Sequence, residues 1–314
     1  MTTSFRRTPY FLLLIAATIL RITILLPNFV MPRRTQRIEL PSSSIGTRHT
    51  LLVHNYGLKT SPTSRRAYIQ SSLHADELPG TIKFDKLITL EHYSHILILT
   101  KRITHFSRNC QRSIQLHFLG LLVSHHLLHM LDKAELSGHI LEEIIIIPYA
   151  NPIGLSQHLL GNQLGRFSFQ SGINFNRNYA DVTKAVALKI EDKLSKTDSF
   201  KNVQFIREAL NEEIDSLKVL GDEGNLKKIL FKIAAQCDIV LDLHCDSNAV
   251  MHMYTHSKLW PALSDLATEL ESECHLLASA AGTYTTFIVC TILVYDLINR
   301  IRYILLLSIL ESGI

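Results

Sequence analysis

Residues 66–80 read RAYIQSSLHADELPG. The first half, Arg66–Leu73, carries aromatic and β-branched residues and is bounded by turn formers, so a short strand is expected. His74 and Glu77 follow at once, three residues apart, before the Pro79-Gly80 turn. A neutral imidazole and a carboxylate presented by one tight loop can share a zinc ion. The arrangement differs from the helical HExxH pattern, in which two histidines lie a helical turn apart. Taken alone the pair is a weak signal, and a solvated loop is its simplest explanation.

Outward from this stretch the chain alternates strands and helices. Glu142–Pro148 (EEIIIIP) is a continuous apolar run, as expected for a central strand covered on both faces. Asp238–Leu243 (DIVLDL) reads as another strand, and Leu51–His54 as a short one. Apolar residues at three- and four-residue steps predict helices over Ser124–Ala134, Val203–Leu220 and Asn225–Ala235. The expected fold class is therefore α/β, with a mixed, mostly parallel central sheet and helices on both faces. In such sheets ligands bind beyond the carboxyl ends of the strands.

Two further features sit at strand ends. Asp242-Leu243-His244-Cys245-Asp246 closes DIVLDL, and residues 242, 244 and 246 share one side of an extended chain. His244 would add a third ligand to His74 and Glu77, leaving an open position of the kind catalytic zinc sites keep. Asp242 or Asp246 could orient an imidazole from behind. Cys245 points the other way and reads as a small packed residue. The second feature follows EEIIIIP: Asn151-Pro152-Ile153-Gly154, then Gly165-Arg166-Phe167, then Asn174-Phe175-Asn176-Arg177. A guanidinium in such a loop matches a carboxylate with a two-pronged fork. His125, His126 and His129 fall on one amphipathic helix and read as surface or packing residues, and Trp260 as core.

The 314 residues are 46% hydrophobic and 19% charged with a net charge of +4, which suits a globular core and gives no basic stripe for nucleic acid. Five cysteines without paired CxxC spacing argue for reduced thiols rather than a disulfide framework or a zinc ribbon. The mean hydropathy, +0.14, is high for such a chain. The excess sits in three segments. Residues 10–30 (YFLLLIAATILRITILLPNFV), preceded by Arg6 and Arg7, read as a signal anchor or an organellar presequence. Residues 285–310 are long enough to span a bilayer, which needs about 20 residues, but Asp296, Asn299, Arg300 and Arg302 interrupt them. Residues 81–120 mix apolar and basic residues with no steady period. The expected organisation is an apolar segment over 1–34, an α/β domain over 35–280 interrupted at about 81–120, and a foreign tail over 281–314. Segments 10–30 and 285–310 are the candidate membrane contacts.

In combination the motifs are specific. SLHADELPG (72–80), IIIIPYANPIGL (144–155), GRF (165–167), NFNR (174–177) and DIVLDLHCD (238–246) resemble the succinylglutamate desuccinylase/aspartoacylase family, a branch of the zinc carboxypeptidase-like fold. MHMYTH (251–256) and LWPALSDLA (259–267) are family-like as well. The resemblance runs from about Arg37 to about Ala280, without 81–120. It implies one zinc ion held by His74, Glu77 and His244. It also implies a substrate carboxylate held by Asn176 and Arg177, and a scissile carbonyl polarised by Arg166. The activity implied is hydrolysis of an amide or ester bond in a small N-acyl amino acid-like substrate.

The family's general base is a glutamate on a later strand, past the third zinc ligand. Beyond Ala280 the only acids are Asp296 and Glu311, and Glu311, followed by Ser312 and Gly313, is the candidate. The other reading is a C-terminally incomplete, inactive site. A competing class is a membrane-anchored binding protein that uses the fold without catalysis. The segments starting at residues 81 and 281 both open near a Gly-Thr pair, Gly80-Thr81 and Gly282-Thr283, which a splice-donor-like codon sequence can encode, and both are read as translated introns. The predicted location is membrane-associated, cytoplasmic or organellar.

Overall fold

The structure is a computed structural model and describes residues 33–57, 65–76, 89–90, 96–97, 119–244, 252–257 and 259–278. Its centre is a five-stranded sheet. Strands β1 (Arg34–Leu40), β2 (His49–Tyr56), β3 (Arg66–Ser71), β4 (Glu143–Ile147) and β5 (Ile239–Leu243) stand in the order β1-β2-β4-β3-β5. β4, β3 and β5 run parallel, and β2 and β1 continue the sheet antiparallel. The expected mixed α/β class is met.

The isoleucine run explains the layering. Side chains alternate along a strand. Ile144 and Ile146 face one side and pack with Tyr56, Ile69 and the apolar stripe Leu127, Leu128, Leu131 of helix α1 (Leu119–Leu136). Ile145 and Ile147 face the other, where Tyr68 and Phe175 meet helices α2 (Thr183–Ile190), α3 (Ser199–Ser216) and α4 (Gly221–Ala234) through Val186, Ile206, Leu210, Leu226, Leu230 and Phe231. A strand of β-branched residues buried on both faces is what a sheet interior favours. His125 and His129 are exposed on α1 and His126 is half-buried, as expected for a solvent-side stripe.

Boundaries shift for local reasons. α3 starts at Ser199, earlier than expected, because the Asp198 carboxylate accepts the Lys201 backbone N–H at 2.9 Å and caps it. It stops at Ser216 because Leu217 turns extended. β1 is missing from the sequence expectation; it is polar and mostly exposed, so no apolar alternation marks it. Beyond β5 lie β6 (His252–His256), α5 (Trp260–Glu269) and β7 (Cys274–Ala278), with β6 and β7 forming a separate parallel pair. Trp260 is half-buried and stacks on His275 at 4.3 Å between ring centroids, so it is a contact at this pair rather than full core. Cys237 and Cys274 are free thiols, and burial pushes the Cys237 thiol up to about 12, which keeps it unreactive. Among the described residues no helix is long and apolar enough to cross a membrane. Residues 10–30 and 285–310, and nearly all of 81–120, lie outside the described residues.

Candidate metal centre at the strand ends

The carboxyl ends of β3 and β5 carry the two histidines. After β3 the chain turns sharply at Ser72, whose φ of 61° is left-handed. The turn is tied to the segment after β4: Ser71 Oγ donates to Pro148 O at 2.8 Å, and Ala150 N donates to Ser71 O at 3.0 Å. Asn151 is the central connector. Its Oδ1 accepts the Gly154 N–H at 2.8 Å, capping the short helix Pro152–Leu155, and its Nδ2 donates to Leu73 O at 2.9 Å. The asparagine therefore fixes the residue directly before His74.

The 163–177 segment closes over this turn. Ala75 N donates to Gly165 O at 3.1 Å, and Gln163 Nε2 donates to Ala75 O at 3.0 Å. Phe175 N then donates to Arg166 O at 3.0 Å, and Phe167 and Asn174 pair antiparallel. This return brings Arg166, Asn174 and Asn176 to one place although ten residues of sequence separate the first from the last.

Hydrogen bonds fix the state of His74, which is buried. Asn174 Oδ1 accepts the Asn176 backbone N–H at 2.8 Å, so that atom is the amide oxygen. His74 Nε2 lies 2.8 Å from the same oxygen and must therefore carry the proton. In the neutral ring the lone pair then sits on Nδ1, and Arg166 Nη1, a donor only, meets it at 3.2 Å.

His244 follows the same logic. Its Nε2 stands 2.8 Å from Asp242 Oδ2, on a side chain with no exposed surface. An acceptor there places the proton on Nε2 and the lone pair on Nδ1. Asn176 Nδ2 lies 3.3 Å from Asp242 Oδ2 and 3.1 Å from His244 Nε2. Since two donors cannot bond each other, the amide hydrogen belongs to the carboxylate. The two imidazoles approach edge to face with centroids 5.0 Å apart. Behind them, Gln70 Nε2 donates to Asp242 Oδ1 at 2.9 Å, and Tyr68 OH donates to Gln70 Oε1 at 2.6 Å. Burial, then the Asp242 charge, hold the Tyr68 hydroxyl well above the usual phenol range, so it remains a donor.

Of the residues expected from sequence, His74, His244, Arg166 and Asn176 come together. Asn176 is buried, and its amide is engaged with Asp242. Arg177 is half-buried, and its Nη1 donates to Asn176 O at 2.8 Å. Glu77, Glu311, Cys245 and Asp246 lie outside the described residues. Among the described residues no three His, Cys, Asp or Glu side chains converge as a metal cluster. Sequence reasoning passed over Asn174, Gln70 and Asn151. Asn174 stood inside the NFNR motif, whereas Gln70 showed only as one of several polar residues in its strand.

The close packing of Gly165 yields a prediction. A Cβ on Gly165 would lie 2.5 Å from Ala75 Cβ and 2.7 Å from the Asp76 backbone nitrogen, so the two segments must part. Gly165→Ala is expected to cost about 1–3 kcal/mol by overpacking. Urea denaturation should show a lower midpoint at unchanged slope; an unchanged midpoint would mean the contact gives way freely.

A scan against protein-family models finds no match, and neither does a search of curated proteins. Solved structures do match. A succinylglutamate desuccinylase/aspartoacylase family protein from Shewanella amazonensis SB2B aligns with a TM-score of 0.57 at 17% identity, over 86% of this chain and 61% of that one. A protein from Shewanella frigidimarina NCIMB 400 described by the same family name aligns at 0.49 and 19% identity, over 72% and 50% of the two chains. An aspartoacylase family protein from Mesorhizobium loti MAFF303099 aligns at 0.44 and 13% identity, over 82% and 57%. The chain spans about half to three-fifths of the length of these proteins. Set beside the strand-end motifs, the first of these alignments shows that the chain has the fold of the succinylglutamate desuccinylase/aspartoacylase family, the family its sequence resembles.

Proposed function

We propose that the chain is a zinc-dependent hydrolase of the deacylase type, acting on an amide or ester bond of a small N-acyl amino acid-like substrate. The observation that carries this reading is the pair His74 and His244. They come from two strand ends, face each other at 5.0 Å, and both have Nε2 committed to an acceptor. Imidazoles so backed are the donor type zinc prefers, and a metal at His74 Nδ1 would take the place of the Arg166 Nη1 contact there. Glu77, three residues after His74, is the proposed third ligand. The domain is taken as residues 35–280, interrupted at about 81–120.

A zinc ion bound there supplies a Lewis acid that acidifies water and polarises a carbonyl. The chain's residues do the rest. Asn174 and Asp242 hold the two rings in register. Arg166, whose guanidinium already reaches the His74 ring, is placed to stabilise charge developing on the substrate carbonyl oxygen. Asn176 is engaged with Asp242, so recognition of the substrate carboxylate falls mainly on Arg177, with Asn176 holding the loop that presents it.

The test is direct. Purified full chain should carry one zinc ion and hydrolyse members of a panel of N-acyl amino acids, with activity lost to a chelator and restored by zinc. Zinc binding without turnover on any member would overturn the hydrolase assignment. Absence of zinc binding would overturn the site.

A further inference from the structure

Asp242 is the only acidic side chain described in contact with His244, and it has no exposed surface. A carboxylate so buried has two oxygens to satisfy and one torsion free to turn it. Its Oδ2 faces the His244 ring and the Asn176 amide. Its Oδ1 faces Gln70, and the pairing is set by the backbone: Gln70 on β3 stands directly opposite Asp242 on β5 in the parallel register. Tyr68, two residues earlier on the same face of β3, then fixes which way the Gln70 amide points. Its hydroxyl donates to Oε1, which leaves Nε2 for Asp242. A flipped amide would set its oxygen against the carboxylate.

We propose that Gln70 is a positioning residue for the metal centre: its side-chain amide locks the Asp242 carboxylate and, through it, the direction and tautomer of His244. In the line Tyr68–Gln70–Asp242–His244 the first three side chains share one face of two neighbouring strands, and His244 follows directly after the second. Gln70 is fully buried, one residue before the carboxyl end of β3, in a sheet interior where apolar residues are the rule. A buried amide is costly unless its bonds are made, and here they run toward the candidate site rather than to the backbone.

This inference rests on the zinc-site reading for its metal arm only. Its first readout is the His244 ring itself, in 15N-labelled metal-free chain, by long-range proton–nitrogen correlation. The native chain should show His244 protonated at Nε2. Gln70→Met keeps volume and removes the amide; His244 should become a mixture of tautomers while His74, held by Asn174, stays as it is. Zinc affinity should fall severalfold, less than the roughly tenfold or more that follows removal of a group bonded directly to a ligand. Tyr68→Phe removes one hydroxyl, keeps the ring packing, and should move both readouts the same way by less. Unchanged His244 signals and unchanged affinity in folded Gln70→Met would overturn the proposal. Should Gln70→Met not fold, unchanged readouts in Tyr68→Phe would overturn it instead. A native chain that binds no zinc would overturn the zinc reading, and the ring signals would still decide the role of Gln70.

Discussion

Replacing His74 or His244 by alanine is expected to strip zinc from the purified chain. Tetrahedral zinc sites are worth about 10–16 kcal/mol at neutral pH, so each of four positions contributes about 3 kcal/mol. One lost imidazole then weakens binding about a hundredfold, at 1.4 kcal/mol per factor of ten. The two variants should separate on stability. His74 is 3% exposed, and its loss leaves Arg166 Nη1 and Asn174 Oδ1 each without a partner it now has. Both partners are half-buried, and a lost hydrogen bond there costs about 0.5–1.5 kcal/mol. The His244 side chain is 27% exposed, so water can replace it more easily. His74→Ala should therefore lower both zinc content and the denaturation midpoint, and His244→Ala mainly the zinc content. His129→Ala, on the exposed stripe of α1, should change neither. Equal zinc content in all three variants would show that the metal is not held at these strand ends.

Parts of this site are legible in the sequence because local residue order encodes them. Four consecutive β-branched isoleucines bounded by a proline suit a strand buried on both faces, and β4 is there, with alternate side chains sorted to the two helical layers. His74 and His244 are legible because each follows an apolar strand, and strand ends are where such folds present ligands. The groups behind the histidines are less so. Gln70 and Asp242 meet only because β3 and β5 are neighbours in register, across 172 positions of sequence. Asn174 reaches His74 only because the 163–177 segment folds back on itself. The motif suggests an anion reader at Asn176, and its Nδ2 also lies 3.3 Å from the buried Asp242 carboxylate, a contact that the motif does not encode. Pattern identifies which residue types are available, and register decides what each one touches.

Turnover makes a larger demand than metal binding, and Glu311 is the residue proposed to meet it. Hydrolysis of an amide needs a group that takes a proton from water and returns it to the leaving nitrogen. Among the described residues Asp242 is committed to His244 and Gln70, Asp76, two residues after His74, has Oδ1 buried without a hydrogen-bond partner, and the arginines cannot accept a proton. Glu77 is the proposed third zinc ligand. Residues 281–314 offer two acids, Asp296 and Glu311. In the sequence Asp296 stands in an apolar stretch with Asn299, Arg300 and Arg302, whereas Glu311 is followed by the small residues Ser312 and Gly313. Glu311→Gln is expected to lower turnover about a hundred- to ten-thousandfold, the ordinary contribution of a positioned base. Zinc content and substrate KM should hardly change, because the amide keeps the shape and loses only the proton-accepting charge. Asp296→Asn should leave turnover as it was. A zinc-loaded chain whose turnover survives Glu311→Gln would assign the proton transfer to another group. A zinc-loaded chain with no turnover before any substitution would mean that Glu311 does not serve as the base, and that the chain holds its metal without the group needed to use it.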